Sequence, residues 1–359
     1  MSSLAIKSYE IPKEWNSLFK ELERGRIIFV IGASDAGKTT FIKFLINEFI
    51  KAHKKVAFID SDIGQSSIGI PTTISSAVLS SAEDLKSPKT HSLYFVGSTS
   101  PPGNLLQVAV GIKRTVDVAF KAKPDLVTID TTGFIGSGAG YELKYQKMSL
   151  VQPTHIVAIQ KAKELEPLLN LISNSFENIK TLRLKPPSGV KPRSLDERQA
   201  NRERKFGDYF SNANKLQIKL SQVALRRGYF GLGAPVSELK LYELSKMCGL
   251  ELLYGEEGEE ESVFVTRAMG HSTLLWRKIQ TYTKKNFIKV VNQSELEGTL
   301  VGLGNKKGDF VVGLGIVAGM ENGSIMTFTP LRDASKVRLV IFGSLKLSPL
   351  GKEMGKIVY

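Results

Sequence analysis

Short apolar blocks alternate with amphipathic segments over the first half of the chain. Between the blocks lie segments with apolar residues at helical spacing, such as Phe41, Leu45 and Phe49. Because parallel strands need a crossover between them, this pattern predicts repeated strand–helix units around a parallel sheet. The blocks of strand length are residues 27–31, 55–59, 92–97, 125–129, 155–160 and 179–184.

The two ends of the chain have a different pattern. Trp15, Phe19 and Leu22 follow helical spacing, which predicts a short lead-in helix within residues 1–23. Beyond residue 213 the chain is rich in glycine and in short apolar blocks, and Asn322-Gly323 is a good hairpin turn. The acidic run at 255–261 is expected to be an exposed loop. Strands are predicted at 298–303, 310–317, 324–329 and 337–342.

The first apolar block leads directly into a glycine-rich loop. Residues 32–40 read Gly-Ala-Ser-Asp-Ala-Gly-Lys-Thr-Thr, which fits the phosphate-binding pattern of glycine, four residues and Gly-Lys-Ser/Thr. A plain glycine-rich turn is the alternative, but buried strand, loop and amphipathic helix follow in the order that a P-loop requires. The loop is predicted to bind a nucleoside triphosphate through Gly32, Ser34, Asp35, Ala36, Gly37, Lys38, Thr39 and Thr40.

Carboxylates follow the ends of two later strands. Asp62 lies after the second block, and Asp130 closes the fourth block in the apolar-strand-plus-aspartate pattern of a Walker B element. Since ligands bind at the carboxyl ends of parallel strands, Asp62 is expected beside the triphosphate. It is there a loop-stabilising carboxylate, a Mg²⁺ ligand or a general base. Thr39 is the other predicted Mg²⁺ ligand.

Composition narrows the class of protein. The 359 residues are 42% hydrophobic and 23% charged, which is typical of a globular protein of about two domains. There is no apolar run of roughly 18 residues and no signal-peptide pattern, so a cytoplasmic location is expected, or a nuclear one in a eukaryote. The single cysteine, Cys248, excludes an internal disulfide, and four scattered histidines give no metal-ligand spacing.

The formal charge of +14 favours a polyanionic partner, because a basic excess attracts phosphates over long distances. Residues 180–205 are particularly basic, and within them Arg198 and Arg202 lie four apart, on one face of a predicted helix. They are predicted to belong to a lid over about residues 186–212 that reaches the phosphates. A solvated basic helix would have the same pattern. Arg193 and Arg204 are expected to be bystanders.

Several motifs occur together along nearly the whole chain. Besides the P-loop they are Asp62-Ile-Gly-Gln65, Pro71-Thr-Thr73, Gly97-Ser-Thr-Ser-Pro-Pro-Gly-Asn104, Asp130-Thr-Thr-Gly133, the arginines before Tyr209-Phe210 and the terminal strands. Together they resemble the polynucleotide 5′-hydroxyl kinases, a family with cleavage-factor, nucleolar and shorter archaeal members. The resemblance implies an α/β fold: a doubly wound parallel P-loop NTPase sheet in residues 24–213 with an arginine-bearing helical lid, then a smaller β-rich domain in 214–359.

The resemblance also implies a role for each matching residue. Lys38 and Thr39 would bind ATP and Mg²⁺, and Asp62 would orient or deprotonate the 5′-hydroxyl. Arg198 and Arg202 would correspond to the lid arginines of the family. Lys38, Asp62, Arg198 and Arg202 are therefore the predicted catalytic residues.

The same resemblance implies a substrate site. Thr99, Ser100 and Asn104 would form a clasp that grips both Lys38 and the substrate, and Gln65 would lie near the terminal nucleotide. Phe134 stands where the eukaryotic members carry a base-stacking tryptophan, and their extra N-terminal β domain has no counterpart here. The predicted substrate-binding residues are Gln65, Thr99, Ser100, Asn104, Thr132, Gly133 and Phe134.

The sequence therefore predicts an ATP-dependent kinase that phosphorylates the 5′-hydroxyl of RNA, with DNA as a second acceptor to test. The rival is a P-loop ATPase that acts as a switch or scaffold in an RNA-processing complex. A GTPase is disfavoured because the guanine-reading Asn-Lys-x-Asp pattern is absent. The basic stretch and the clasp motif disfavour a kinase of a small metabolite. No membrane partner is expected.

Overall fold

A computed structural model of the chain describes Leu4 and residues 12–187, 192–267, 273–305, 310–321 and 323–359. The chain forms two compact units, Met1–Arg202 and Glu203–Tyr359. The division between them falls inside one helix, Leu195–Phe210, whereas the domain boundary predicted at residue 213 follows that helix. Within the described residues, no helix combines the length and the apolar character that crossing a bilayer requires.

A seven-stranded sheet is the centre of the first unit. Its strands are β1 (Ile27–Gly32), β2 (Val56–Ser61), β3 (Thr73–Leu79), β4 (Thr90–Phe95), β5 (Leu126–Thr131), β6 (His155–Ile159) and β7 (Lys180–Leu184). They lie in the order β4-β3-β2-β5-β1-β6-β7, and β2, β5, β1, β6 and β7 run parallel. Every residue of β1, β2 and β5 is buried, which is why β1 is apolar throughout and β2 and β5 are mostly apolar before Asp60 and Asp130. The predicted P-loop-type α/β sheet is confirmed.

Among the described residues, seven helices lie in this unit or begin in it. They are α1 (Lys13–Leu22), α2 (Lys38–Lys51), α3 (Ala82–Lys86), α4 (Leu105–Phe120), α5 (Gly138–Val151), α6 (Glu166–Ser175) and α7 (Leu195–Phe210). Trp15 of α1 packs edge-on against Phe41 of α2, with ring centroids 5.0 Å apart. The apolar residues expected to form a lead-in helix therefore join the core that α2 shares with the sheet.

Strand β3 was not expected from the sequence. It runs antiparallel to both β2 and β4, because the chain between β2 and β3 is too short for a helical crossover. Ser75 and Ser76 interrupt its apolar pattern, yet both are buried, and the Ser76 hydroxyl pairs with that of Ser92 on β4 at 2.5 Å. Because these buried residues are polar, apolar periodicity does not predict β3.

The second unit is rich in β structure, as predicted. One sheet has the order β18-β17-β14-β15-β16-β8 with β9 beside β17, and a smaller sheet has the order β10-β11-β12-β13. The strands are β8 (Asn214–Lys219), β9 (Ala224–Arg226), β10 (Ala234–Pro235), β11 (Leu252–Glu257), β12 (Glu261–Thr266), β13 (Phe287–Asn292), β14 (Thr299–Gly304), β15 (Val311–Glu321), β16 (Ser324–Thr329), β17 (Leu339–Leu347) and β18 (Glu353–Lys356). The helices are α8 (Glu238–Cys248), α9 (Thr273–Thr283) and α10 (Gln293–Leu296).

Strands β14 to β17 occupy the four segments predicted as strands. Gly323, with a φ of 65°, has the left-handed backbone that a tight hairpin turn needs, while Asn322 lies outside the described residues.

The acidic run 255–261 is an exposed loop only in part: Glu259, Glu260 and Glu261 are exposed, but Glu256 and Glu257 belong to β11. Most of the run belongs to β11 and β12, and Glu256 is only 3% exposed. The Glu256 carboxylate accepts hydrogen bonds from the Tyr254 hydroxyl at 2.8 Å and the Gly231 N–H at 2.7 Å. Glu257 pairs with Lys240 at 2.6 Å. The Gly231 N–H and the Lys240 ammonium come from other segments of the chain, so the acidic run alone does not reveal these partners.

Candidate active site

The loop between β1 and α2 has the backbone that phosphate binding requires. Gly37 has a φ of 90° and Asp35 a φ of 56°, so both lie in the left-handed region that wraps the loop. A Cβ at Gly32 would lie 2.6 Å from the Ile159 carbonyl oxygen, which explains the first glycine of the motif. Helix α2 begins at Lys38 without a side-chain cap. Its first N–H groups therefore remain available to a phosphate.

Lys38 and Thr39 follow directly at the start of α2. Lys38 is 6% exposed, and its ammonium donates to the Ala33 carbonyl at 2.6 Å, inside the loop. Burial lowers the pKa of Lys38, and the charges of Asp130, Asp62 and Asp35 oppose that shift. The Thr39 hydroxyl donates to Asp130 Oδ2 at 2.6 Å. This amine, hydroxyl and carboxylate set fits a nucleoside triphosphate with its Mg²⁺.

Asp130 and Asp60 are register partners at the ends of the neighbouring strands β5 and β2. Burial, together with the nearby charge of Asp60, raises the pKa of Asp130. The Asp60 carboxylate accepts hydrogen bonds from the backbone N–H groups of Asp62, Ser67 and Ile68. Asp60 therefore shapes the loop that follows β2, while Asp130 orients Thr39, as the Walker B pattern indicated.

Asp62 is half-buried in that loop. Its Oδ1 accepts hydrogen bonds from the Gly64 N–H at 3.1 Å and the Gln65 N–H at 3.0 Å. Within the described part of the chain, Oδ2 takes part in no hydrogen bond. One oxygen thus stabilises the loop, and the other is left for a proton or a metal ion. The charge of Asp62 acts on Lys38 and opposes the effect of burial on the lysine pKa.

The loop after β4, which carries the predicted clasp, lies against the Asp62 loop. A Cβ at Gly64 would be 2.9 Å from the Thr99 carbonyl oxygen. Thr72 joins the two loops, because its N–H donates to the Ile63 carbonyl and its carbonyl accepts from the Val96 and Gly97 N–H groups. Its φ of 77° is strained for a β-branched residue. The sheet thus brings two of the sequence motifs together.

The clasp residues themselves differ from expectation in one respect. Asn104 lies directly before α4, and its side-chain amide donates to the Pro102 carbonyl at 3.4 Å. Ser100 donates its N–H to the Ser98 hydroxyl at 3.3 Å. Among the described residues, no hydrogen bond joins Lys38 to Thr99, Ser100 or Asn104. The expected grip of the clasp on Lys38 is not observed, because the Lys38 ammonium is bonded to its own loop.

The loop after β5 lies against the P-loop. A Cβ at Gly133 would be 2.3 Å from the backbone nitrogen of Ser34, so only glycine permits this approach. The Thr132 hydroxyl is buried without a hydrogen-bond partner among the described residues. Phe134 is half-buried in the same loop. The contacts thus give Gly133 a packing role, and substrate contacts of Thr132 and Phe134 stay predictions.

Two arginines from the predicted lid bind the P-loop carboxylate Asp35. Arg198 Nη2 lies 2.6 Å from Oδ2, while Arg193 donates its N–H to Oδ2 at 3.0 Å and its Nε and Nη2 to Oδ1 at 3.1 Å each. Burial alone would raise the pKa of Asp35, but these hydrogen bonds outweigh it and hold the pKa below its usual value. Arg202 is half-buried one turn further along α7.

Arg193 was missed by the sequence reasoning, which expected it to be a bystander. It precedes α7, so a search for arginines on one helical face could not select it. Helix α7 begins where Ser194 and Glu197 form a capping box, with reciprocal bonds of 3.0 Å and 2.7 Å. The Ser-x-x-Glu pattern was the available signal that the helix starts after Arg193.

Two buried lysines of α5 were also missed. Lys144 and Lys147 are fully buried, and they donate to the Thr132 carbonyl at 2.6 Å and the Ser61 hydroxyl at 2.9 Å. Burial lowers the pKa of Lys147 to about 8, although the nearby aspartates oppose the shift. Burial also lowers the pKa of Lys144, and the charges of Asp62 and Asp130 act on both lysine side chains.

Comparison with known proteins gives a consistent result. The family described as mRNA cleavage and polyadenylation factor CLP1 P-loop matches residues 32–212. A polyribonucleotide 5′-hydroxyl-kinase of Pyrococcus furiosus is 33% identical, over 98% of this chain and 97% of its own length. A protein of the same name from Methanocaldococcus jannaschii is 32% identical, over 99% and 97% respectively.

More distant relatives share part of the sequence or the fold alone. Human polyribonucleotide 5′-hydroxyl-kinase Clp1 is 25% identical over 60% of this chain and 53% of its own length. The solved structure of wild-type Clp1p with Pcf11p residues 454–563 matches with a TM-score of 0.61 at 12% identity, covering 95% of this chain and 81% of the other.

Proposed function

We propose that this chain, which belongs to the CLP1 P-loop family of polyribonucleotide 5′-hydroxyl kinases, transfers the γ-phosphoryl group of ATP to the 5′-hydroxyl end of RNA. The family implies the use of ATP. The names of the full-length relatives support RNA as the acceptor, and the charge of +14 is consistent with a polyanionic substrate.

The observation that carries the proposal is the position of Asp62. Its charge acts on the P-loop lysine Lys38, and of its two carboxylate oxygens only Oδ1 is engaged in hydrogen bonds within the described chain. A kinase needs a carboxylate next to the γ-phosphate to orient and deprotonate the attacking hydroxyl. A switch ATPase would need to position a water molecule but no acceptor hydroxyl.

In the proposed reaction, Asp62 Oδ2 accepts the proton of the RNA 5′-hydroxyl as that oxygen attacks the γ-phosphorus. The bond between the γ-phosphorus and the bridging oxygen of ADP breaks at the same time, which gives ADP and a 5′-phosphate. Lys38 and the two arginines that bind Asp35, Arg193 and Arg198, stabilise the charge on the transferred group. Arg202 stays a predicted lid arginine.

The Mg²⁺ ion fits the same site. Thr39 would hold it, with Asp130 behind the threonine hydroxyl and Asp62 as a further candidate ligand. When bound, Mg²⁺ neutralises phosphate charge. The role of the chain's own residues is to fix the geometry: P-loop N–H groups bind the phosphates, and the Asp62 loop places the carboxylate.

The test is incubation with γ-labelled ATP and three oligonucleotides: RNA with a 5′-hydroxyl, the same RNA with a 5′-phosphate, and DNA with a 5′-hydroxyl. We expect label on the 5′-hydroxyl RNA and none on the 5′-phosphate RNA, and the DNA lane decides whether DNA is also an acceptor. Lys38→Ala should abolish transfer. Release of labelled phosphate by the wild-type protein, without labelling of any oligonucleotide, would favour the switch ATPase and refute the proposal.

A further inference from the structure

The side chain of Gln65 is fully used in hydrogen bonds. Its Oε1 accepts from Asn201 Nδ2 at 2.9 Å and from Arg193 Nη1 at 3.3 Å. Its Nε2 donates to the Arg198 carbonyl and to the Gly64 carbonyl, both at 3.0 Å. A glutamine amide offers two donors and two acceptor positions. In this conformation, therefore, no capacity is left on Gln65 for a nucleotide base.

Three of these four bonds join Gln65 to one segment, residues 192–202, which we call the lid segment. Asn201 and Arg198 lie three residues apart on α7 and thus on one face of the helix. The bond to the Arg198 carbonyl fixes the helix backbone, and the bond to Asn201 fixes its rotation. The Arg193 N–H also donates to Asp35 Oδ2 at 3.0 Å, which holds the backbone just before α7. On the helix itself, the Arg198–Asp35 ion pair is made by a long side chain, which does not by itself fix the helix backbone.

The main chain of Gln65 is joined to Asp62. The Gln65 N–H donates to Asp62 Oδ1 at 3.0 Å, and the Asp62 N–H donates to the buried Asp60 at 3.1 Å. Gln65 thus belongs to a loop that is anchored in the sheet core. The Gln65 backbone is therefore bonded to Asp62, the proposed general base, while the Gln65 side chain makes three hydrogen bonds to the lid segment.

We propose that Gln65 is a positioning residue that anchors the lid segment to the Asp62 loop, so that the lid arginines and the Asp62 carboxylate are placed as one assembly. This assigns Gln65 a role different from contact with the terminal nucleotide. The inference rests on the proposed function for its effect on the reaction, but the anchor itself is a property of the free protein.

The test is a double-mutant cycle with Gln65→Ala and Asn201→Ala. Asp196→Ala, on the exposed side of the same helix, is the matched control. The first readout is hydrogen exchange of the lid segment in the nucleotide-free protein, measured by mass spectrometry. The second readout is kcat and KM for label transfer to 5′-hydroxyl RNA. Should Gln65→Ala fail to fold, Asn201→Ala tests the same contact from the lid side.

We expect Asn201→Ala, which removes one of these hydrogen bonds, to accelerate exchange in the lid segment by about two- to tenfold. Gln65→Ala removes three bonds to the segment and should accelerate exchange at least as much. The double variant should add little to the larger single effect, because both changes remove the same contact. Gln65→Ala combined with Asp196→Ala should instead show independent effects. In the kinetic readout, Gln65→Ala and Asn201→Ala should lower kcat more than they raise KM for ATP.

Unchanged exchange in both single variants, or fully independent effects in the double variant, would overturn the anchor. So would a raised KM for RNA in Gln65→Ala alone with a silent Asn201→Ala, because that result makes Gln65 a substrate contact. If exchange shows the expected coupling but the wild-type protein labels no RNA, the anchor stands and the proposed function fails.

Discussion

The three aspartates at the ends of neighbouring strands, Asp60, Asp62 and Asp130, have different roles. Asp60 is fully buried and accepts backbone hydrogen bonds, so it shapes the loop after β2. Asp130 orients Thr39. Asp62 is half-buried and keeps Oδ2 outside the hydrogen bonds of the described chain. Burial and local partners, rather than residue type, thus single out Asp62 as the candidate base.

At the residue scale, the lowered pKa of Lys147 predicts how the stability of the protein depends on pH. Its pKa is lowered from 10.5 to about 8 by burial, so between these pH values the native state binds fewer protons than the unfolded state. The free energy of unfolding should therefore rise with pH across this window. A pKa unit corresponds to about 1.4 kcal/mol, so the full change is on the order of 3 kcal/mol.

Urea denaturation of wild type and Lys147→Met from pH 7 to 10.5 measures this effect. As pH rises, the unfolding free energy of wild type should increase relative to that of Lys147→Met. A difference that stays constant over the whole range would show that Lys147 keeps its ordinary pKa.

At the scale of elements, the lid combines a helix with the arginine before it. The capping box of Ser194 and Glu197 sets the start of α7, which leaves Arg193 on extended chain and Arg198 on the helix. Both guanidinium groups bind Asp35 of the P-loop. The lid arginines are thus already held at the phosphate-binding loop in the structure.

We expect Arg193→Lys and Arg198→Lys to lower turnover by about ten- to a hundredfold, because lysine keeps the charge but lacks the forked donors of arginine. ATP affinity should change less than turnover. Arg204→Lys is the matched control, since Arg204 pairs with Asp208 on the same helix and is 62% exposed. Steady-state label transfer and ATP titration measure both quantities. Equal, small effects at all three positions would show that these arginines form only a basic surface and take no part in phosphoryl transfer.

The helices and strands also show which elements the sequence pattern could predict. Continuous apolar blocks and the P-loop predicted β1, α2, β2 and β5 well, because a strand buried on both faces needs apolar residues throughout. Strand β3 and the β11–β12 hairpin escaped prediction. In both, polar side chains are buried against partners that are distant in sequence, such as Ser92 and Gly231, and these pairings are set by the tertiary structure.

At the scale of the whole molecule, the charge of +14 should govern how RNA binds. Single-stranded RNA affinity should fall with salt, with a log–log slope of about −0.7 for each phosphate contacted. Filter binding or fluorescence anisotropy between low and physiological salt measures the slope. A flat response would indicate a small uncharged acceptor in place of a polynucleotide.

The site was predictable where one loop supplies the chemistry and unpredictable where two segments meet. The P-loop and the Asp62 loop each hold their candidate groups within a few residues, so sequence motifs were sufficient to select them. The pairing of Arg193 and Arg198 with Asp35, and of Gln65 with Asn201, joins segments more than a hundred residues apart in sequence. No spacing rule relates such residues, so the arrangement of the lid came only from the structure.

The central claim is that one site, built from the P-loop and the Asp62 loop, transfers phosphate to a 5′-hydroxyl. Single-turnover label transfer by wild type and Asp62→Asn, with ATP and 5′-hydroxyl RNA both saturating, tests it most directly. We expect Asp62→Asn to bind ATP within a few-fold of wild type but to transfer label at least about a hundredfold more slowly, the scale for losing a general base. Transfer by Asp62→Asn at the wild-type rate, or no label on RNA from the wild-type protein, would contradict the claim.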